Sequence, residues 1–109
     1  MATTLNTSVT PGIGITPMVI LAPVQTSTFT IIGGNLANTT DYDVIITITI
    51  TDATNASAIY VNQMPIRAYT SLRVIAAGEK LVLAGGCTMT IVSDTIASVD
   101  ATFSYADMT

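Results

Sequence analysis

From Val44 to Thr51 the chain reads Val-Ile-Ile-Thr-Ile-Thr-Ile-Thr. On an extended backbone Val44, Ile46, Ile48 and Ile50 fall on one side, and Ile45, Thr47, Thr49 and Thr51 on the other. A period of two marks a half-buried strand. The same alternation returns at Val99–Tyr105, where Val99, Ala101, Phe103 and Tyr105 oppose Asp100, Thr102 and Ser104. Shorter runs pair Phe29 with Ile31, Ile59 with Val61, Leu72 with Val74, and Met89 with Ile91. Leu81-Val-Leu83 adds a brief strand. No stretch repeats apolar residues at the i, i+3, i+4, i+7 spacing of a helix.

Turn signals separate these runs. Asn38-Thr-Thr-Asp-Tyr-Asp43 is predicted to join the strand Val24–Asn38 to Val44–Thr51 as a pair. Gly33-Gly34 interrupts the first of these and predicts a bulge or sharp bend. Further breaks fall at Asp52–Ser57, Pro65, Ala76–Lys80, Ala84–Cys87 and Ser93–Ser98. The chain therefore predicts an all-β, single antiparallel β-sandwich of seven or eight strands, Ig-like or jelly-roll-like. Phe29, Ile46, Ile48, Ile50, Val99, Ala101 and Phe103 are its expected core.

Residues 1–23 read differently. They hold Pro11, Gly12, Gly14, Pro17 and Pro23 and no charged side chain. This density of Pro and Gly disfavours a helix or a central strand. The segment is too apolar for a solvated tail, so it is expected to be an extended N-terminal arm before a sandwich of residues 24–109. The arm has a short strand near Met18–Leu21, which leaves open that it simply edges its own sandwich. Ile13, Ile15, Met18 and Ile20 are the candidate assembly contacts.

Composition sharpens this reading. Ile, Val and Thr fill about two fifths of the 109 positions, as a pleated surface favours. Half of the residues are hydrophobic, while 9% are charged, where an average soluble domain carries roughly a quarter. Three cations (Arg67, Arg73, Lys80) against seven acids leave a net charge of −4. No basic stripe exists to bind nucleic acid or an anionic membrane. No histidine is present, which removes the commonest general base and metal ligand. Cys87, the one cysteine, reads as a small buried hydrophobe.

The remaining polar groups suggest no chemistry. Asp41 and Asp43 beside Asn38 lack the ligand number and spacing of a calcium loop. Glu79, next to Lys80, is a turn residue and has no second carboxylate placed for glycoside hydrolysis. Tyr42, Tyr60, Tyr69 and Tyr105 lack a Trp or a polar cluster beside them and read as core or interface residues. No catalytic residue, metal or cofactor is expected. The N-terminus has no basic region before an apolar core, so no signal peptide is expected and synthesis in a cytoplasm is.

The charge deficit is the most informative feature. A domain of this size buries about two thirds of its unfolded surface, and ten charges cannot coat the rest. A threonine coat and burial against neighbouring subunits are the two ways to satisfy that surface.

Ile31-Ile-Gly-Gly-Asn-Leu-Ala-Asn-Thr-Thr40, Ala77-Gly-Glu-Lys-Leu-Val-Leu83 and Ser98-Val-Asp-Ala-Thr-Phe-Ser104 resemble segments of small auxiliary virion proteins of tailed bacteriophages. The resemblance spans about residues 24–106 and departs from the family at Gly85-Gly-Cys87, where an acidic turn is more typical. It implies a non-enzymatic β-sandwich in the virion: a capsid decoration protein, or a neck, collar or tail attachment. The partners it implies are further copies of the chain and other virion proteins, made together in the host cytoplasm. The alternative class is a glycan- or receptor-binding module, adhesin-like or at a fibre tip.

Overall fold

The Val44–Thr51 alternation is realised as a central strand. In a computed structural model, which describes residues 3–75 and 80–108, Val44, Ile46 and Ile48 are fully buried and Thr47, Thr49 and Thr51 turn away from the core. The described residues form nine strands in two antiparallel sheets: β1 (Thr3–Ile13), β2 (Met18–Leu21), β3 (Thr28–Asn38), β4 (Val44–Thr51), β5 (Ser57–Ile66), β6 (Ser71–Ile75), β7 (Leu81–Leu83), β8 (Thr88–Ser93) and β9 (Val99–Met108). One sheet runs β1-β9-β3-β6, with β7 also on β3; the other runs β2-β8-β4-β5. The sheets face each other across one aliphatic core that includes Ile31, Leu36, Ile46, Ile48, Met89, Ile91, Val99, Ala101 and Phe103. Phe29 and Ile50, expected in the core, pack on its margin and are half-buried.

β5 runs through Pro65, where a break is expected, and pairs it with Ile45; three further features differ from the sequence reading. β3 and β4 lie in different sheets, so Asn38–Asp43 is a crossing and not a hairpin turn. In β5, Val61 pairs with Ile48 while Ile59 pairs with Thr49. The register shifts there, next to Gln63 in the left-handed region (φ 46°), so Ile59 and Val61 face opposite ways. The third difference concerns residues 3–21, which supply an edge strand to each sheet and so are built into the sandwich. Prolines and glycines that exclude a central strand are tolerated at an edge, where one side of the ladder needs no partner. The turn expected at Ala76–Lys80 lies largely outside the described residues.

The Gly33-Gly34 bulge is present: register slips between Ile31 and Gly33 against β9, and between Gly34 and Asn35 against β6. Its cause is packing. A Cβ on Gly34 would lie 2.5 Å from the Phe103 ring, so this glycine lets the largest core side chain sit flat on β3.

Buried polar groups fix the crossings. Asn38 is 3% exposed. Its amide nitrogen donates to the carbonyls of Tyr42 (2.9 Å), Ile66 (2.9 Å) and Arg67 (3.1 Å), and its oxygen accepts from the Thr40 N–H (2.9 Å) and hydroxyl (2.7 Å). The β3–β4 and β5–β6 crossings are thereby held at one corner. At the β1–β2 crossing Gly12 (φ 65°) donates its N–H to Asp100 at 2.9 Å, and the carbonyls of Ile13 and Gly14 accept from Ser98 and Ser93, both at 2.9 Å.

Replacing Ile48 with Ala should cost about 2–5 kcal/mol through lost burial and a cavity. Replacing its outward neighbour Thr49 with Ala should cost under about 1 kcal/mol. Urea melts that showed equal losses would mean the faces of β4 are reversed. At the Asn38 corner, Asn38→Ala should cost about 1–3 kcal/mol by stranding buried carbonyls. Asn38→Asp should cost at least as much at pH 7, because a carboxylate presents acceptors to acceptors. An aspartate variant as stable as the wild type would remove the donor role given to the amide.

Candidate functional site

The four residues expected to make assembly contacts are not equivalent. Ile13 and Ile20 lie inside the chain's own core, and Met18 packs half-buried against it. They close the sandwich and present little to a partner. Ile15 is 58% exposed on the crossing between the two edge strands, beside a shallow hollow shared with Gly12, Thr16, Ile96 and Ala97.

Other exposed apolar side chains stand on the edge strands β1, β2, β5 and β7, with further ones in loops and at Ile32 and Ile45 of the central strands. In β1, Ser8 and Thr10 stand opposite the buried Phe103 and Ala101. Directly paired residues point to the same face, so Asn6, Ser8 and Thr10 point inward and Leu5, Thr7 and Val9 point outward. The Ser8 hydroxyl donates across the sandwich to the carbonyl of Ile20 at 3.1 Å. Leu5 and Val9 are 74% and 68% exposed. This strand is inverted: its polar side faces the core and its apolar side faces solvent.

The sheet pairings place these residues in rows. On the outer face of the first sheet, Leu5, Ala106, Thr30 and Val82 stand side by side, and Val9, Thr102, Asn35 and Arg73 form another row. On the second sheet the row is Val19, Thr90, Thr49 and Ile59. Threonine and other small polar groups thus tend to cover the centres, while aliphatic groups sit at the edges. Edge strands are ordinarily protected by charge, yet β1, β2 and β5 contain no charged residue. A groove of about 620 Å³ lies over the bulge, floored by Gly33 and Gly34 and bordered by Arg73.

The polar candidates build turns. Asp43 accepts the Ala68 N–H at 3.1 Å, and Asp94 accepts the Ile45 N–H at 3.0 Å. Asp52 accepts from the Thr54 hydroxyl (2.7 Å), the Thr54 N–H (2.9 Å) and the Ala56 N–H (3.0 Å). These bonds, the Thr54 hydroxyl foremost, hold its carboxyl below the usual carboxylate range. No group of three His, Cys, Asp or Glu side chains poised to hold a metal occurs among the described residues. Tyr105 stacks on Phe29 with ring centroids 4.4 Å apart. Tyr42, Tyr60 and Tyr69 are exposed, and Cys87 is a half-buried free thiol. Glu79 lies outside the described residues.

The inverted strand was legible in principle from Leu5 and Val9 alternating with Asn6, Ser8 and Thr10. Threonine on both faces hides that period. No family model, curated protein or solved structure matches this chain.

A lowered carboxylate pKa stabilises the folded turn above the unfolded value and loses that contribution as pH falls through the folded one. Replacing Thr54 with Val should therefore raise the Asp52 pKa toward its ordinary value. Carbon-detected NMR titration of Asp52 measures this; an unmoved titration would mean the hydroxyl does not hold the carboxylate.

Proposed function

We propose that this chain is a non-enzymatic structural subunit of a bacteriophage particle, of the decoration or neck and tail-attached kind, that works through repeated protein–protein contacts. The observation that carries the reading is the uncharged, apolar edge. Leu5, Val9, Val19 and Ile59 are exposed on strands without a single charge, and a chain that must remain a free monomer has no use for such edges. The segment resemblance to auxiliary virion proteins supplies the particle. Many weak contacts multiplied over many copies then give firm attachment.

A second reading, a glycan- or receptor-binding module, has one observation in its favour. Tyr42 and Tyr69 are exposed on two loops that meet where the Tyr69 N–H donates to the Thr40 carbonyl at 3.1 Å.

The test is the particle itself. Phage particles carrying the gene, banded in a density gradient and washed, should contain the protein in many copies by quantitative mass spectrometry. Particles free of it, with the protein left in the lysate, would overturn the reading. A copy number matching a few fibre tips, with glycan binding lost in Tyr42→Ala and Tyr69→Ala, would favour the second.

A further inference from the structure

We infer that β1 pairs edge to edge with β1 of a second copy of this chain, antiparallel about a twofold axis at Thr7. This deepens the subunit reading above and rests on it. β1 ends the first sheet, so among the described residues its outer edge has no strand partner. Residues 3–13 carry no charge, and the first charged side chain in the chain is Asp41. Two copies of a chain with net charge −4 can therefore meet here without opposing like charges.

The register follows from the sequence. When two identical strands pair antiparallel, a residue whose backbone groups point outward must meet another that does the same. Paired positions then share parity, and the axis passes through one residue and its copy. Centred on Asn6, the pairing sets Leu5 against Thr7 and Val9 against Thr3. Centred on Ser8, it sets Val9 against Thr7. Centred on Thr7, it sets Leu5 against Val9 twice, Thr4 against Thr10 twice, Asn6 against Ser8 twice, and Thr7 against itself. Centred on Leu5 or Val9 it sets that one residue against its copy and leaves the other beyond Thr3–Thr10 or against the buried Ile13, so the Thr7 register is the one that covers both Leu5 and Val9 with apolar partners within the exposed strand while matching polar with polar on the inner face. Thr3-Thr-Leu-Asn-Thr-Ser-Val-Thr10 is thus nearly self-complementary about its fifth residue.

The size suffices. The nine residues paired in this register, Thr3 to Pro11, extend about 26 Å, and the molecule's shortest dimension is 20 Å. Two such edges in flush contact bury about 1,000 Å² in total, at the lower bound of specific interfaces. The inverted pattern of β1 has its reason in this arrangement. Leu5 and Val9, wasted against solvent in one copy, cover each other across the axis.

The full-length protein tests this. Wild type should sediment as a dimer or a multiple of it. Thr7→Lys sets like charges opposite each other at the axis and should weaken dimerisation by about a hundredfold or more; Asn35→Lys, on the same face two strands inward, should not. In a Cys87→Ala background, Thr7→Cys should give a disulfide-linked dimer under mild oxidation while Thr49→Cys does not. Circular dichroism of each variant guards against misfolding; should Thr7→Lys or Thr7→Cys fail to fold, Val9→Glu, which sets a carboxylate against Leu5 of the other copy, should weaken dimerisation by about tenfold or more while Asn35→Glu does not. A monomeric wild type, or a dimer indifferent to Thr7→Lys and uncrosslinked by Thr7→Cys, overturns the pairing. Presence of the protein in washed particles is a separate result, so the subunit reading can survive that failure.

Discussion

The fold turns on how two crossings between sheets share one buried amide. β3 must leave the first sheet to become β4 in the second, and β5 must return to become β6. Each crossing breaks the backbone ladder and leaves carbonyls to satisfy away from water. Asn38 meets that demand for both, because one side chain offers two N–H groups and an acceptor together. Its donors reach Tyr42 on one crossing and Ile66 and Arg67 on the other. With that corner fixed, β3 and β4 face each other across the core, and the pairings β3·β9 and β4·β8 can form in register. On the opposite side of the sandwich the β1–β2 crossing is held instead by backbone N–H groups of Ser93 and Ser98 and by the Asp100 carboxylate.

Several of the charged side chains sit in exposed turns and not on the sheet faces. The ten charges of the chain include aspartates spent on turns: Asp43, Asp52, Asp94 and Asp100 each accept a backbone N–H. Solubility of the sheet faces is left to threonine, which has a β-branched stem suited to a strand and a hydroxyl for water. Threonine rows can coat a face, but they do not close an edge. The edges therefore carry the consequence of the charge deficit.

The period of two made β4 and β9 plain in the sequence, because each packs one side on the core and shows the other to solvent. The Gly33-Gly34 bulge was plain for a different reason: two adjacent residues without side chains weaken a strand and favour an irregular register. The crossing at Asn38–Asp43 was not, since a loop rich in Asn, Thr and Asp looks alike whether it reverses a strand or changes sheets. What distinguishes the two is the contact of Asn38 with Ile66, twenty-eight positions away, and local pattern holds no trace of that. Among the candidate contacts, the sequence ranked Ile13 and Ile20 by hydrophobicity, and those two are the ones the core consumes. Leu5 and Val9 are exposed because the register of β1 against β9 turns them outward, a long-range fact.

Edge character also sets what kind of assembly the proposed pairing permits. An open edge is hazardous because it can add strands without limit. An isologous contact about a twofold axis escapes that hazard, since pairing β1 with its own copy uses up both edges and closes. A head-to-tail contact, β1 on the β6/β7 edge of the next copy, would instead propagate into a fibre or close into a ring. The two edges are not alike in this respect. The far edge of the first sheet carries Arg73, with Lys80 next to β7, and two copies meeting there would oppose cations. Charge therefore blocks self-pairing on the far edge and leaves it unblocked at β1. On this account the first sheet extends once, through its uncharged β1 edge, and leaves the edge that carries Arg73 outermost.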